Sequence, residues 1–262
     1  MSNNKILIIT QQDYFFIPKN IKKIIDNFGY TNIVSIIQID NKSSINNKRL
    51  YFIKGFGLIQ SVKYGLYFFF KKIMNFFSIF FTIFESESSI KTLCKIYKIP
   101  FKKTSDINND YIINHLKDLS IDIIISFSAP TVFKRRLLTI PRLGCINLHC
   151  SYLPFYSGLF PSFWVINNNE EFTGCTIHYM DNKIDNGAIL KQKKVPVNSR
   201  DTIFSLLSKT KNIGGNLMVE VLKELFQGKI KTKPNEVNSD YYFTWPTIEQ
   251  IKQFRYNGKK LI

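Results

Sequence analysis

Three short runs of apolar, largely β-branched residues constrain this chain more than anything else in it: residues 5–10 (KILIIT), 32–39 (NIVSIIQI) and 121–127 (IDIIISF). They are apolar at consecutive rather than alternate positions. That pattern suits strands buried on both faces, as in a parallel sheet covered by helices. Helical spacing of apolar residues recurs between them at 20–28, 88–97 and 108–119. The alternation predicts an α/β fold, a mostly parallel sheet flanked by helices.

Further on, residues 144–149 (GCINLH) read as a strand ending in polar residues, followed by a turn-prone loop through Pro154 and Gly158. In open α/β sheets chemistry sits at such strand ends. Two more strands are expected at 173–180 and 188–195, around the turn Asp185-Asn186-Gly187. Asp201 is expected to cap a long helix that reaches Phe226 and ends at Gly228. Residues 229–262 form a basic, aromatic tail with no long periodic element, expected to pack on a catalytic domain spanning residues 1–228. There is no internal repeat and no GxGxxG, so a dinucleotide site has no direct support.

Composition narrows the class. A chain of 262 residues that is 45% hydrophobic has enough apolar material for a large domain, which argues against disorder. Cys94, Cys145, Cys150 and Cys175 show no zinc-type spacing, so no metal is expected, and a reduced, cytoplasmic setting fits. The first ten residues lack the features of a signal peptide. A formal charge of +17 makes polyanions plausible partners, among them nucleic acid, an anionic membrane surface and pyrophosphate-bearing metabolites. Coding bias toward Lys, Ile, Asn and Phe explains the charge equally well. Residues 64–84 (YGLYFFFKKIMNFFSIFFTIF) approach the length of a bilayer span, but Lys71 and Lys72 interrupt them. A helix that is partly buried or lies on a membrane surface is expected, with simple core packing favoured, and a span comes last.

Asn147 and His149 are two apart on a strand, so their side chains share a face. A carboxamide can donate to a developing oxyanion, and an imidazole can exchange a proton near neutral pH. Together they suit attack on a carbonyl, and Asp185 on its tight turn is the right kind of group to stabilise an imidazolium. Singly, each has a more ordinary structural reading as a loop bond, a satisfied strand-end histidine or a turn former. His115 on a helix and His178 in a strand read as structural.

The stretch 147–190 closely resembles the core of the folate-dependent formyltransferases, the family of glycinamide ribonucleotide, methionyl-tRNA and nucleotide-sugar N-formyltransferases. The resemblance rests on the NLH triplet, the following S-x-L-P, the Gly158 loop, the T-G-x-T-I-x-x-M-D run at 173–181 and the I-D-x-G turn at 184–187. More loosely it extends from Lys5 to about Phe226. It implies a Rossmann-like sheet with a short C-terminal extension, N10-formyltetrahydrofolate as cosubstrate and Asn147, His149 and Asp185 as the catalytic triad. The folate would lie between Ser128, Ala129, Pro130, Val132 and Phe133 on one side and the turn beginning at Asp181 on the other. Transfer would be direct, through a tetrahedral intermediate. In the loop that commonly reads Pro-basic-Tyr-Arg-Gly this chain has Pro154, Phe155, Tyr156, Ser157 and Gly158, and Cys150 replaces a common proline. The missing Arg puts in doubt the contact to phosphate or tRNA that the resemblance would imply, while the chemistry itself is expected to survive.

For the acceptor, about 35 residues after Gly228 are few for the β-barrel of methionyl-tRNA formyltransferases, while glycinamide ribonucleotide enzymes lack a counterpart to the aromatic insert and tail. The two ends of the chain resemble those of sugar N-formyltransferases. The expected acceptor is therefore a nucleotide-linked amino sugar, such as dTDP-4-amino-4,6-dideoxyglucose, used in surface polysaccharide (O-antigen) synthesis. Nucleic acid is disfavoured as a partner. Gln11, Gln12 and Asp13 would meet the sugar, with Tyr156 nearby, and Tyr242 and Trp245 would stack on a base or sugar, although Trp245 as a plain anchor of the tail is an equal reading. A homodimer and a peripheral membrane contact stay open. The contrasting class is a noncatalytic basic protein that binds RNA or membrane.

Overall fold

The structure, a computed structural model, describes residues 4–40, 47–80 and 89–262, with the side chains of residues 76 and 78–80 outside the description. Its centre is a seven-stranded sheet, ordered β3 (Phe101–Thr104), β2 (Ile33–Ile39), β1 (Ile6–Gln11), β4 (Ile123–Phe127), β5 (Cys145–His149), β7 (Phe172–Tyr179), β8 (Ile189–Pro196). The first five strands run parallel, and the last two pairings are antiparallel. The predicted Ile-rich runs are the middle strands, buried on both faces. Helices α1 (Ile17–Phe28), α3 (Ile90–Tyr97) and α7 (Ile203–Phe226) cover one face, and α4 (Asp110–Lys117) and α5 (Arg135–Leu138) the other. Strand order reverses between β1 and β4, so their C-terminal ends part and leave the crevice where ligands bind in sheets of this kind. Thr10 Oγ1 donates to the Phe127 carbonyl at 2.8 Å, which pins the two strand ends beside that crevice.

A third core joins α2 (Lys48–Phe80), α6 (Pro161–Asn167) and α8 (Ile248–Tyr256). The tail is tied down in several places. β9 (Tyr242–Phe243) pairs with β6 (Ser157–Gly158), and Trp164 Nε1 donates to the Thr244 carbonyl at 2.9 Å. The first N–H groups of α7, which no helical carbonyl can satisfy, donate to the carbonyls of Lys260 and Leu261 at 3.1 and 3.0 Å.

Three expectations are corrected. The cap of α7 is Thr202, not Asp201: Thr202 and Ser205 bond each other's backbone N–H groups in a capping box, and the Asp201 carboxylate instead takes Ser205 Oγ and Lys209 Nζ. The tail contains a nine-residue helix, α8, that its sparse apolar spacing concealed. The aromatic segment is only partly buried: Tyr64 packs against the third core and Tyr67 against Phe15 and Phe204, but among its described residues none is fully buried. At Gly57, with φ of 81° and ψ of 165°, the helical path breaks, and beyond it α2 runs over the surface. Residues 81–84 of that expected segment, and Ser88 of the next, lie outside the described residues. Among the described residues no helix is long and apolar enough to cross a membrane.

Candidate active site

Asn147 and His149 occupy the C-terminal end of β5, at the crevice. Between them Leu148 turns the other way and packs on α7 at Gly214, where a Cβ would lie 2.4 Å from Leu148 Cδ1. β7 runs antiparallel beside β5 in a register that sets His178 opposite Asn147 and Thr176 opposite His149. Asp185 arrives from the turn between β7 and β8. That turn is tight: a Cβ at Gly187 would meet the Tyr179 carbonyl at 2.0 Å. The Asp185 backbone is left-handed, at φ 50°, and Asn235 Nδ2 braces it by donating to the Asp185 carbonyl at 2.8 Å.

The four side chains form one network. His149 Nε2 lies 2.9 Å from the Tyr156 carbonyl, which can only accept, so this nitrogen carries the proton. His149 Nδ1 faces Asp185 Oδ2 at 3.3 Å, and His178 Nε2 lies 3.6 Å from Asp185 Oδ1. His178 Nδ1 lies 2.7 Å from the Tyr179 carbonyl, to which it donates, and its Nε2 lies 3.2 Å from Asn147 Nδ2 as well as beside the carboxylate. Asn147 also lines the cavity. Asp185 Oδ2 also accepts the Gly158 N–H at 2.9 Å, which ties it to the loop and, through β6 and β9, to the tail.

Burial pushes the His149 imidazole below its ordinary 6.5, and the neighbouring Asp185 anion opposes that shift. Burial would raise the Asp185 carboxyl, but His149, His178 and the Gly158 N–H outweigh it and hold the group at about 2. At neutral pH the site therefore rests with a neutral His149 against an ionised Asp185. The lone pair on Nδ1 can take a proton, and doing so creates a charge-assisted bond to the carboxylate.

The network opens into a cavity of about 590 Å³, large enough to hold most of a ligand of drug size. Ser128, Ala129, Pro130, Val132 and Phe133 line one wall, and Asp181 and Asp185 line another. Gln11, Asp13 and Trp245 are also on the wall. Two of these have structural partners. Asp13 Oδ1 caps α1 by accepting the N–H groups of Phe15, Phe16 and Ile17, and Asp181 holds its own turn through Lys183 N and Asn186 Nδ2.

Three sequence candidates are off the cavity wall. Gln12 bonds Tyr14. The Tyr156 ring stacks on Phe243 at 5.0 Å, and its hydroxyl donates to Glu170, so only its carbonyl serves the site. Tyr242 packs against Gly158 and does not itself line the cavity.

Sequence reasoning missed three residues. His178 was read as structural, yet it sits against both Asn147 and Asp185. The signal was the pairing register of β7 with β5, which a single strand does not display. Lys211, buried in the middle of α7, reaches Ser128 Oγ on the cavity wall, and nothing marks it among the lysines of that helix. Ser162, on the same wall, has a buried hydroxyl without a partner.

Residues 77–222 match the family described as formyl transferase. Over 173 residues the chain is 33% identical to the methionyl-tRNA formyltransferase of Kosmotoga olearia, a match that takes in 66% of this chain and 56% of that protein. The chain spans about half the length of the curated relatives it matches. Among solved structures, the N-formyltransferase from Helicobacter canadensis in complex with folinic acid and dTDP-3-aminofucose has a TM-score of 0.59 at 19% identity, covering 96% of this chain and 80% of that one. Phosphoribosylglycinamide formyltransferase from Anaplasma phagocytophilum has a TM-score of 0.61 at 18% identity, covering 93% and 98%. These two likenesses are of fold, whereas the family match spans more than half of the sequence and contains Asn147, His149, His178 and Asp185. The chain belongs to the formyl transferase family.

Proposed function

We propose that this chain transfers a formyl group from N10-formyltetrahydrofolate to the amine of a nucleotide-linked amino sugar. The observation that carries the chemistry is His149 Nδ1 at 3.3 Å from the Asp185 carboxylate, beside Asn147 on the wall of the same cavity. The residues present fit a folate donor. Ala129, Pro130, Val132 and Met180 give apolar walls for a flat, partly aromatic molecule, and the polar network stands at one end. The bound donor would supply an activated formyl carbon. Asn147 would donate an amide hydrogen to the formyl oxygen as negative charge develops there. His149 would take the proton released by the attacking amine, and Asp185 would stabilise the imidazolium until the proton passes to the departing folate nitrogen.

The nucleotide-sugar reading is supported by an aromatic rim and nearby cations. Trp245 and Phe160 lie with ring centroids 4.8 Å apart on the cavity wall, where a base or sugar face could stack. Lys48, Lys183 and Lys211 on the same wall suit a pyrophosphate. Methionyl-tRNA is the second reading, favoured by the named activity of the 33% identical relative.

The two are separated by a tetrahydrofolate-release assay with N10-formyltetrahydrofolate and either dTDP-4-amino-4,6-dideoxyglucose or methionyl-tRNA, with His149→Ala as control. Turnover with the sugar alone, lost in the variant, is expected. Turnover with tRNA alone would replace the acceptor, and turnover that survives in the variant would remove His149 from the mechanism.

A further inference from the structure

Beyond Gly57, α2 presents one face to the protein and another to solvent. At about 100° per residue, Tyr64, Tyr67 and Asn75 share the inner face. Tyr67 stacks on Phe15 at 5.3 Å and meets Phe204 edge-on, also at 5.3 Å, while Asn75 Oδ1 accepts from Thr92 Oγ1 at 3.0 Å. Leu58, Ile59, Val62, Leu66, Phe69, Phe70 and Phe77 fall together within about 120° of arc on the opposite side. All are exposed, and five of them, Leu58, Ile59, Leu66, Phe69 and Phe70, are between 58% and 72% so. Single exposed apolar residues are ordinary, but a continuous stripe four turns or more in length marks an interaction surface.

The charges on this helix indicate what covers the stripe. Lys63 lies just beyond Phe70 on one border, and Lys72 lies on the other side of Leu58 and Phe69; both are exposed. Over its 33 residues α2 carries Lys48, Arg49, Lys54, Lys63, Lys71 and Lys72 and no acidic residue. A second copy of the chain pairing through the same stripe would bring basic borders against basic borders. Complementary charge comes from an anionic bilayer: its acyl boundary takes the apolar stripe while its headgroups meet the lysines.

We propose that the outer face of α2 is a peripheral docking surface for anionic lipid membranes. The inference is independent of the acceptor, and of formyl transfer itself. It also explains why an aromatic helix too interrupted to span a bilayer stays out of the core.

The test is flotation of the full chain with phosphatidylcholine vesicles and with vesicles that also contain phosphatidylglycerol. Binding is expected only to the anionic vesicles and should fall as salt is raised. Lys63→Gln with Lys72→Gln should weaken it by about thirty-fold. Phe69→Ser with Phe70→Ser should weaken it by about a hundred-fold or more. The thermal unfolding midpoint of each variant reports whether it remains folded, and the lysine pair, being on the surface, keeps the test open if the phenylalanine pair does not. No preference for anionic vesicles, or binding unchanged in both variants, would overturn the proposal. So would a concentration-dependent dimer that the phenylalanine substitutions abolish while vesicles are ignored, since that outcome assigns the face to a second copy.

Discussion

At the scale of single residues, His149 is held between opposing influences, and the balance predicts a pH profile. Burial favours the neutral ring and Asp185 favours the charged one, with burial ahead, so the imidazole titrates below 6.5. If the neutral form is the working base, kcat/KM should be flat near neutrality and fall only below pH 6.5. Asp185→Asn removes the opposing anion. The acid limb should then move to still lower pH, and the plateau should drop by about a hundred-fold or more, the scale on which lost charge stabilisation in a transition state is felt. A limb that moves up, or stays where it was, would show that Asp185 does not act through His149. Ser162 supports a second prediction. A buried hydroxyl without a partner costs about 1–3 kcal/mol, a cost a ligand on the same wall can relieve. Ser162→Ala should therefore leave the free protein as stable or more so in urea, while raising KM for one of the two substrates with kcat little changed. An unchanged KM for both would mean that Ser162 meets neither. Asn147 and His149 were legible because alternate strand positions share a face. His178 was not, because its place depends on a register between two strands, and neither were the roles of Asp13 and Tyr156, whose side chains are taken up by a helix cap and by a stack on the tail.

At the scale of elements, the tail holds the site together from behind. Phe254 of α8 is fully buried, stacks on Phe163 at 4.8 Å and meets Phe56 of α2 edge-on. Phe254→Ala should cost about 3–5 kcal/mol of stability, as large-to-small changes of a packed aromatic do. The loss would be read as a lower urea midpoint. Activity should fall as well, because α8 fixes the chain that carries β9, and β9 pairs with the Gly158 loop whose N–H holds Asp185. Full stability in the variant would show that α8 packs too loosely to support that loop. The buried strands were legible for the same reason that they form, since a run of isoleucines with no polar face has nowhere to go but between two helical layers. β3 (FKKT) was not, because an edge strand with exposed lysines carries little of that pattern. Nor was α8, whose apolar residues make sense only against α2 and α6. The surface course of α2 escaped composition for a related reason: Gly57 turns it off the core, and hydropathy does not report direction.

For the whole molecule, the same two groups set how stability responds to acid. Asp185 is held at about 2 against an ordinary 3.8. A depressed carboxyl contributes stability that is fully present above the ordinary value and is lost as pH falls through the folded one, here between roughly 4 and 2. By linkage the contribution is on the order of 2 kcal/mol. His149 acts at higher pH with the opposite charge. The folded chain resists protonating it while the unfolded chain binds a proton readily below 6.5, so acidification favours unfolding from that point downward. Asp122 and Asp201 are also lowered, where the Lys5 N–H with Arg142 and the Lys209 ammonium outweigh burial, so they too contribute stability that is lost as the pH falls below their ordinary value. Each protonated carboxylate also adds to a molecule that already carries a formal +17, which raises its self-repulsion. The urea midpoint should accordingly fall in two stages, one beginning below pH 6.5 and a steeper one below about pH 4. His149→Gln separates the causes. The first stage should flatten because the titrating ring is gone. The second should shrink without vanishing, because Asp185 has lost its first coulombic partner while keeping the Gly158 N–H. A first stage that persists in the variant would move its origin away from His149 and weaken the case that this ring rests neutral in the folded chain.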